Sequence, residues 1–302
     1  MEDKINDKNY YDYIALSASQ IKDYAKSPYE FWKHSVYNQD SVLKESKSMT
    51  FGSMVHCLLL EPEKFKEDYV VNVDNLDMRT KAGKEWASNQ TKTIISSKDY
   101  KQACKMIYSL QNNSFTKALM FGINPEKPFL MDIGDGFWLK GKMDAIKKLS
   151  NGDIIIIDYK TTSEDLEKWR KFNTSSFHDI QVAIYQQLCF LKYGKYASHF
   201  YFLVHSTKEN YEDMFAVYEY DEASIDRAIT YVFGENRNTD FVLENDDIIL
   251  PSGCGLIYKC KLDLYNYFKK NQLDTFQYFK KPVLMDNSSR EYDLYVNDFN
   301  NN

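Results

Sequence analysis

The run Ile154-Ile155-Ile156-Ile157 constrains the fold more than any other part of the chain. Four consecutive β-branched apolar residues suit a strand covered on both faces, because successive side chains point to opposite sides. Asn151-Gly152, just upstream, is a strong hairpin signal, so the segment carrying Asp144 is expected to lie beside this strand. Asp158-Tyr159-Lys160 follows the run directly. Alternation sends Asp158 and Lys160 to one face and Tyr159 to the other. Buried strand ends do not normally carry an acid and a lysine unless these are paired or bind something. Asp144, Asp158 and Lys160 form the set Asp…Asp-x-Lys that a metal-dependent nuclease requires. Two carboxylates can hold hard divalent cations such as Mg²⁺, and a lysine can orient water and stabilise negative charge. The backbone carbonyl of Tyr159 is a further candidate ligand. The same three residues also fit a hairpin with an ordinary salt bridge, since short motifs match often.

Length and composition narrow the class. The chain has 302 residues and a net charge of −6. That charge argues against a protein that coats nucleic acid, but an enzyme with a locally tuned cleft remains open. Bound cations would let a phosphate approach an acidic site. No window is long and apolar enough for a transmembrane helix, and the polar Met1-Glu2-Asp3-Lys4 is unlike a signal peptide, so no membrane association and a cytoplasmic location are expected. The five cysteines are scattered and odd in number, which suits reduced thiols.

Ser17-Ala18-Ser19-Gln20 and Ser27-Pro28-Tyr29-Glu30 read as openings of two short helices. Thr50 to Glu61 reads as a mostly buried helix, ended by Pro62 and a short turn. Residues 70–95 are mixed, with a short helix over 82–89. Ser96 or Ser97 should cap a long helix to about Leu110, with a second helical piece to Phe121. Phe129–Ile133 and Phe137–Lys142, joined by Gly134-Asp135-Gly136, read as a hairpin that continues as a meander into Ile154–Lys160. A helix over 180–193, strands over 199–205 and 215–220, and helices over 222–233 and 258–268 complete the pattern. The order predicts an α/β fold with a central mixed sheet flanked by helices. Residues 1–235 are expected to form the main domain. Residues 236–302 are expected to be a partly helical extension with a mobile tail from about Asp286.

Several segments, taken in order, resemble the PD-(D/E)xK nuclease superfamily, and within it the RecE-type exonucleases (exonuclease VIII) of phages and prophages. Leu16-Ser17-Ala18-Ser19-Gln20 resembles the opening helix of that family. Gly52 to Pro62 resembles its Gly-x-x-x-His helix and Leu-Glu-Pro. Arg79-Thr80-Lys81-Ala82-Gly83-Lys84 resembles its Arg-x-x-x-Gly-Lys segment. Lys142-Met143-Asp144 is similar to its Arg-Pro-Asp, and Asp158-Tyr159-Lys160-Thr161-Thr162 to its Asp-x-Lys-Thr/Ser-Thr. Gln181-Val182-Ala183-Ile184-Tyr185 matches the Gln-x-x-x-Tyr helix shared with RecB-type nucleases. The resemblance spans about residues 14–235.

The resemblance implies a restriction-endonuclease-like core and a set of roles. Asp144, Asp158 and Glu126 would be acidic metal ligands, with His56 at the metal or its water and Lys160 as the catalytic lysine. Gln181 and Tyr185, one turn apart, would face DNA or the site. Arg79, Lys81, Lys84 and Lys142 would hold phosphates. Mg²⁺ or Mn²⁺ is the implied cofactor. Linear double-stranded DNA, digested 5′→3′, is the implied substrate, with a phage annealing protein as possible partner and a ring-like homo-oligomer as possible assembly. Lys142 stands where the family has arginine, so bidentate phosphate contacts are not expected there. Met143 replaces a proline. No iron–sulfur cluster is expected, because Ser27 takes the place of the N-terminal cysteine and no Cys-x-x-Cys exists. Two other readings stay open from sequence: a RecB-like endonuclease or single-strand nuclease, and a non-catalytic DNA-binding scaffold. Taken alone, His56 fits a satisfied core histidine, and Gln181 and Tyr185 fit half-buried helix positions.

Overall fold

A computed structural model of the protein describes residues 5–6, 9–41, 47–125, 128–171, 177–211 and 213–277. The elements run β1 (Leu16–Ser17), α1 (Ala18–Lys26), α2 (Pro28–His34), α3 (Lys47–Leu60), α4 (Pro62–Asp68), β2 (Tyr69–Asn72), α5 (Lys81–Ser88), β3 (Thr93–Ser96), α6 (Ser97–Asn112) and α7 (Ser114–Met120). Then follow β4 (Phe129–Asp132), β5 (Trp138–Gly141), β6 (Ala145–Lys148), β7 (Ile154–Thr162), α8 (Leu166–Lys171), α9 (His178–Tyr193), β8 (His199–Ser206), β9 (Phe215–Glu219), α10 (Glu222–Phe233), β10 (Val242–Glu244), β11 (Asp247–Ile249) and α11 (Leu256–Lys269).

The central sheet has the order β6-β7-β8-β9. β7 pairs antiparallel with β6 and parallel with β8, while β8 pairs antiparallel with β9. The sheet is therefore mixed, and the parallel β7–β8 pair needs the crossover that α8 and α9 supply. The isoleucine run is covered on both faces. Ile154 and Ile156 enter one apolar cluster with α9, α10 and α11. Ile155, Ile157 and Tyr159 enter the other, with α3 and α6. All four isoleucines are buried, at 7 % exposure or less, so neither face of this run meets water.

The chain departs from the sequence expectation in four places. The meander does not run on as one sheet: β4 and β5 pair with each other and with β1, and β6 starts the central sheet. The break falls at Lys142-Met143-Asp144, where the chain passes from one sheet to the other. The Asn151-Gly152 turn is wider than a two-residue hairpin: the Leu149 N–H donates to the Asp153 carbonyl at 2.8 Å, and Gly152 takes φ +88°. Pro62 opens a helix instead of a turn, because proline is suited to the first helical position, where an N–H has no partner anyway. The mixed stretch 70–95 contains a parallel pair, β2 and β3, that local pattern did not reveal.

Capping follows the sequence closely. Ser17 accepts from the Gln20 N–H, Ser27 from Glu30 and Ser96 from Asp99. Each such cap typically contributes about 1 kcal/mol. Part of the expected C-terminal extension packs into the main core, since Leu256, Ile257, Cys260, Leu264 and Phe276 share a cluster with β7 and α9. The expected tail beyond Asp286 lies outside the described residues.

Candidate active site

The site forms where the break between the two sheets meets the end of β7. Asp144 precedes β6, and Ala145 is opposite Ile157 in the antiparallel register. One step further places Asp144 level with Asp158. The Asp144 Oδ2 accepts the Tyr159 N–H at 2.8 Å, and its Oδ1 lies 2.8 Å from His56 Nε2. His56 reaches across from α3 because Gly52, one turn earlier, lets that helix approach β7 closely. A Cβ at Gly52 would sit 2.9 Å from the Thr161 Oγ1.

Asp158 is fully buried. Its Oδ1 accepts from Gln181 Nε2 of α9 at 2.7 Å, and its Oδ2 is ion-paired with Lys160 Nζ. Among the described residues that Oδ2 receives no aligned hydrogen bond, and the lysine charge lies beside it. Gln181 in turn accepts from Lys22 Nζ of α1 at 3.0 Å. Tyr185, one turn along α9, donates its hydroxyl to the Lys142 carbonyl at 2.7 Å and so fixes the strand segment that leads into Asp144.

Burial and charge push the two carboxylates apart. Burial raises the Asp158 pKa to about 6, with Asp144 adding to the rise and Lys160 and Lys22 opposing it. Burial also pushes Asp144 upward, but His56, Lys160 and the Tyr159 N–H together hold it below the ordinary carboxylate value. Burial disfavours the Lys160 ammonium, yet Asp158 and Asp144 outweigh it and raise its pKa. His56 behaves alike: burial lowers it and Asp144 raises it further. Two adjacent carboxyl groups with opposite shifts are the usual mark of a working site.

The remaining sequence candidates divide. Tyr159 contributes its N–H to Asp144, while its ring is buried on the other face and its hydroxyl lies 3.3 Å from His205 Nδ1. Lys142 is half-buried and 3.5 Å from Glu61 Oε2, at the end of α3. Arg79 is not drawn into the cluster by any described contact. It forms an exposed pair with Asp77 at 2.8 Å, ahead of α5, which carries Lys81 and Lys84. Glu126 lies outside the described residues. Sequence reasoning missed Lys22 and Glu61. Glu61 stands in the Leu-Glu-Pro segment, which assigned it no role, and Lys22 has no local mark; each reaches the site through tertiary packing.

Hard divalent cations fit the donor set in type. Asp144 and Asp158 offer carboxylate oxygens side by side, and the Asp158 Oδ2 lacks a directional partner. Among the described residues, no group of three His, Cys, Asp or Glu side chains converges to hold an ion. The two aspartates are therefore the residues that would hold it.

Residues 17–263 match the family model described as a PDDEXK-like domain of unknown function (DUF3799). The chain belongs to that family. The match starts at the cap of α1 and ends within α11, so it includes every residue of the site described above. A crystal structure from Eubacterium rectale, described as a "Putative exonuclease", is similar in fold. Its TM-score is 0.53 at 19% identity, over 75% of this chain and 81% of that one. A second crystal structure, of SSO0001, has a TM-score of 0.27 at 22% identity over 58% of this chain and 82% of that one, and carries no argument. No curated protein matches the chain. The mixed α/β architecture is thus the PDDEXK-like core expected from sequence. Among the described residues, no helix is long and apolar enough to cross a membrane.

Proposed function

We propose that this PDDEXK-like protein is a metal-dependent deoxyribonuclease that digests linear double-stranded DNA from its ends. The observation that carries the reading is the convergence of Asp144, Asp158 and Lys160, with His56 and Gln181 as props for the two acids. Such a set of charges gathered on the fully buried Asp158 is hard to explain as architecture alone. A divalent cation, Mg²⁺ or Mn²⁺, would polarise the scissile phosphate and lower the pKa of water at the site. The protein's own groups do the rest. Asp144 and Asp158 would hold the cation, and His56 and the Tyr159 N–H keep Asp144 ionised and oriented. Lys160 donates to the attacking water or to the phosphate oxygen as negative charge builds there. Tyr185 keeps the approach strand in place through the Lys142 carbonyl.

Preference for DNA ends, 5′→3′ polarity, supply of single strands to an annealing partner and a ring-like assembly follow from the resemblance to RecE-type exonucleases. Glu126 is kept in this reading as a further acidic ligand. Arg79, Lys81, Lys84 and Lys142 are kept as phosphate contacts.

The test compares linear and covalently closed circular duplexes of the same sequence in Mg²⁺. Linear DNA is expected to be consumed and circles to survive. Equal cutting of both would replace the exonuclease with a RecB-like endonuclease. Preference for single strands would point to a single-strand nuclease on the same fold.

A further inference from the structure

Gln181 holds Asp158 with only one end of its amide. The amide is nearly symmetric in shape but not in chemistry: the nitrogen donates and the oxygen accepts. With the oxygen toward Asp158, two acceptors would meet and the carboxylate would lose its hold. Gln181 itself contains nothing that selects the productive orientation. Asp158, an acceptor, favours the nitrogen, and Lys22 secures that choice from the other end. Its ammonium has only donors, and it lies 3.0 Å from Gln181 Oε1, which leaves Nε2 to reach Asp158 Oδ1 at 2.7 Å. Both amide and carboxylate are buried, so water does not compete freely for the two contacts.

We propose that Lys22 is a positioning residue: through Gln181 it fixes Asp158 so that Oδ2 stays turned toward Lys160 and a bound cation. This rests on the nuclease reading above and adds α1 to the machinery of the site. The arrangement does not depend on one protonation state of the lysine. Burial and the Lys160 ammonium push Lys22 down to about 7, against the pull of Asp158 and Asp179. An amine and an ammonium both donate to Oε1, so the amide keeps its orientation on either side of that value. Outer partners of metal-binding side chains typically alter metal affinity about 10- to 100-fold when removed.

The test uses Lys22→Met, which keeps the length and removes the donor, and Lys22→Arg, which restores one. Lys22→Gln is a second disrupting variant, because its side chain can present either an oxygen or a nitrogen to Gln181. Mn²⁺ binding to the DNA-free protein is measured by calorimetry, beside kcat and KM on linear duplex and the melting temperature. Lys22→Met, or Lys22→Gln if the first fails to fold, is expected to weaken Mn²⁺ binding about tenfold and lower kcat by a similar factor. KM for DNA is expected to stay within about twofold of wild type, and Lys22→Arg to recover most of the loss. Unchanged Mn²⁺ affinity and kcat in the folded variants would overturn the positioning role while leaving the nuclease reading intact. A raised KM with unchanged kcat and Mn²⁺ affinity would also overturn it, making Lys22 a DNA contact. If wild type neither binds Mn²⁺ nor cuts DNA, the nuclease reading fails and this inference fails with it.

Discussion

Two acid-paired lysines, one wholly buried and one half-buried, show how charge can serve architecture or chemistry. Lys261, on α11, is wholly inside and donates to the Ile133 carbonyl, the Asp135 carboxylate and the Thr239 carbonyl. Three donors meet three acceptors, and the ammonium is saturated. It ties the β4–β5 turn to the C-terminal part of the chain. Lys160 is different. It faces Asp158 and Asp144 across a site where one carboxylate oxygen has no aligned hydrogen bond and the Asp158 pKa is pushed up to about 6 by burial. A saturated buried charge resists change, whereas an unsaturated one leaves a place for a ligand. Lys140 belongs with Lys261: it donates to the carbonyls of Tyr10, Tyr11 and Tyr13 and so fastens the N-terminal segment.

The largest expected effect separates the two classes outright. Lys160→Ala should lower cleavage of linear DNA about a thousandfold in protein that still folds, because Asp158 can take up a proton once its partner is gone. A rate assay beside a thermal melt decides it, and comparable cleavage would erase the distinction. Lys261→Met should do the reverse. Removing one member of a buried polar cluster should cost about 3 kcal/mol of stability in denaturant titration, with kcat of the folded fraction unchanged. His56→Ala should weaken Mn²⁺ binding about tenfold, because Asp144 loses the partner that orients it. Calorimetry on the DNA-free variant reads this directly, and an unaltered isotherm would return His56 to the status of a core histidine.

The smallest effect concerns pH. The folded Asp158 pKa lies above its unfolded value, so the folded state holds the proton more tightly. Its contribution is therefore lost as pH rises from the ordinary carboxylate range through about 6. Metal-free Asp158→Asn should then be more stable than metal-free wild type at pH 7, and the gap should close below about pH 4. Denaturant titrations across that range check it. A gap that widens as pH falls would reverse the assignment.

The parts of this molecule readable from sequence are those set by short-range chemistry. The isoleucine run made a two-faced strand because β-branching and apolar character act residue by residue. Ser17, Ser27 and Ser96 cap helices because the hydroxyl reaches an N–H only three residues on. Asp158 and Lys160 share a face by alternation alone, whereas the level placement of Asp144 and Asp158 depends on the wider turn at 150–152, which the Asn-Gly signal does not set. What stayed hidden depends on distant contacts. The β2–β3 pair joins strands separated by α5, and the split between β5 and β6 is decided by which sheet each can complete. Gln181 fitted a DNA-facing residue in sequence, yet its side chain is committed to Asp158 and Lys22. Nothing near Lys140 or Lys261 marks them as buried cations, or Lys22 as a partner of the site, because their acceptors come from remote segments of the chain.

The central claim is that the unsaturated cluster at Asp144, Asp158 and Lys160 hydrolyses DNA with a divalent cation. An end-labelled linear duplex, incubated with wild type and with Lys160→Ala in Mg²⁺ and in EDTA, tests it most directly. The account predicts release of label by wild type in Mg²⁺ alone, and none from the variant or in EDTA. Intact DNA with wild type in both Mg²⁺ and Mn²⁺, or equal release by Lys160→Ala, would contradict it.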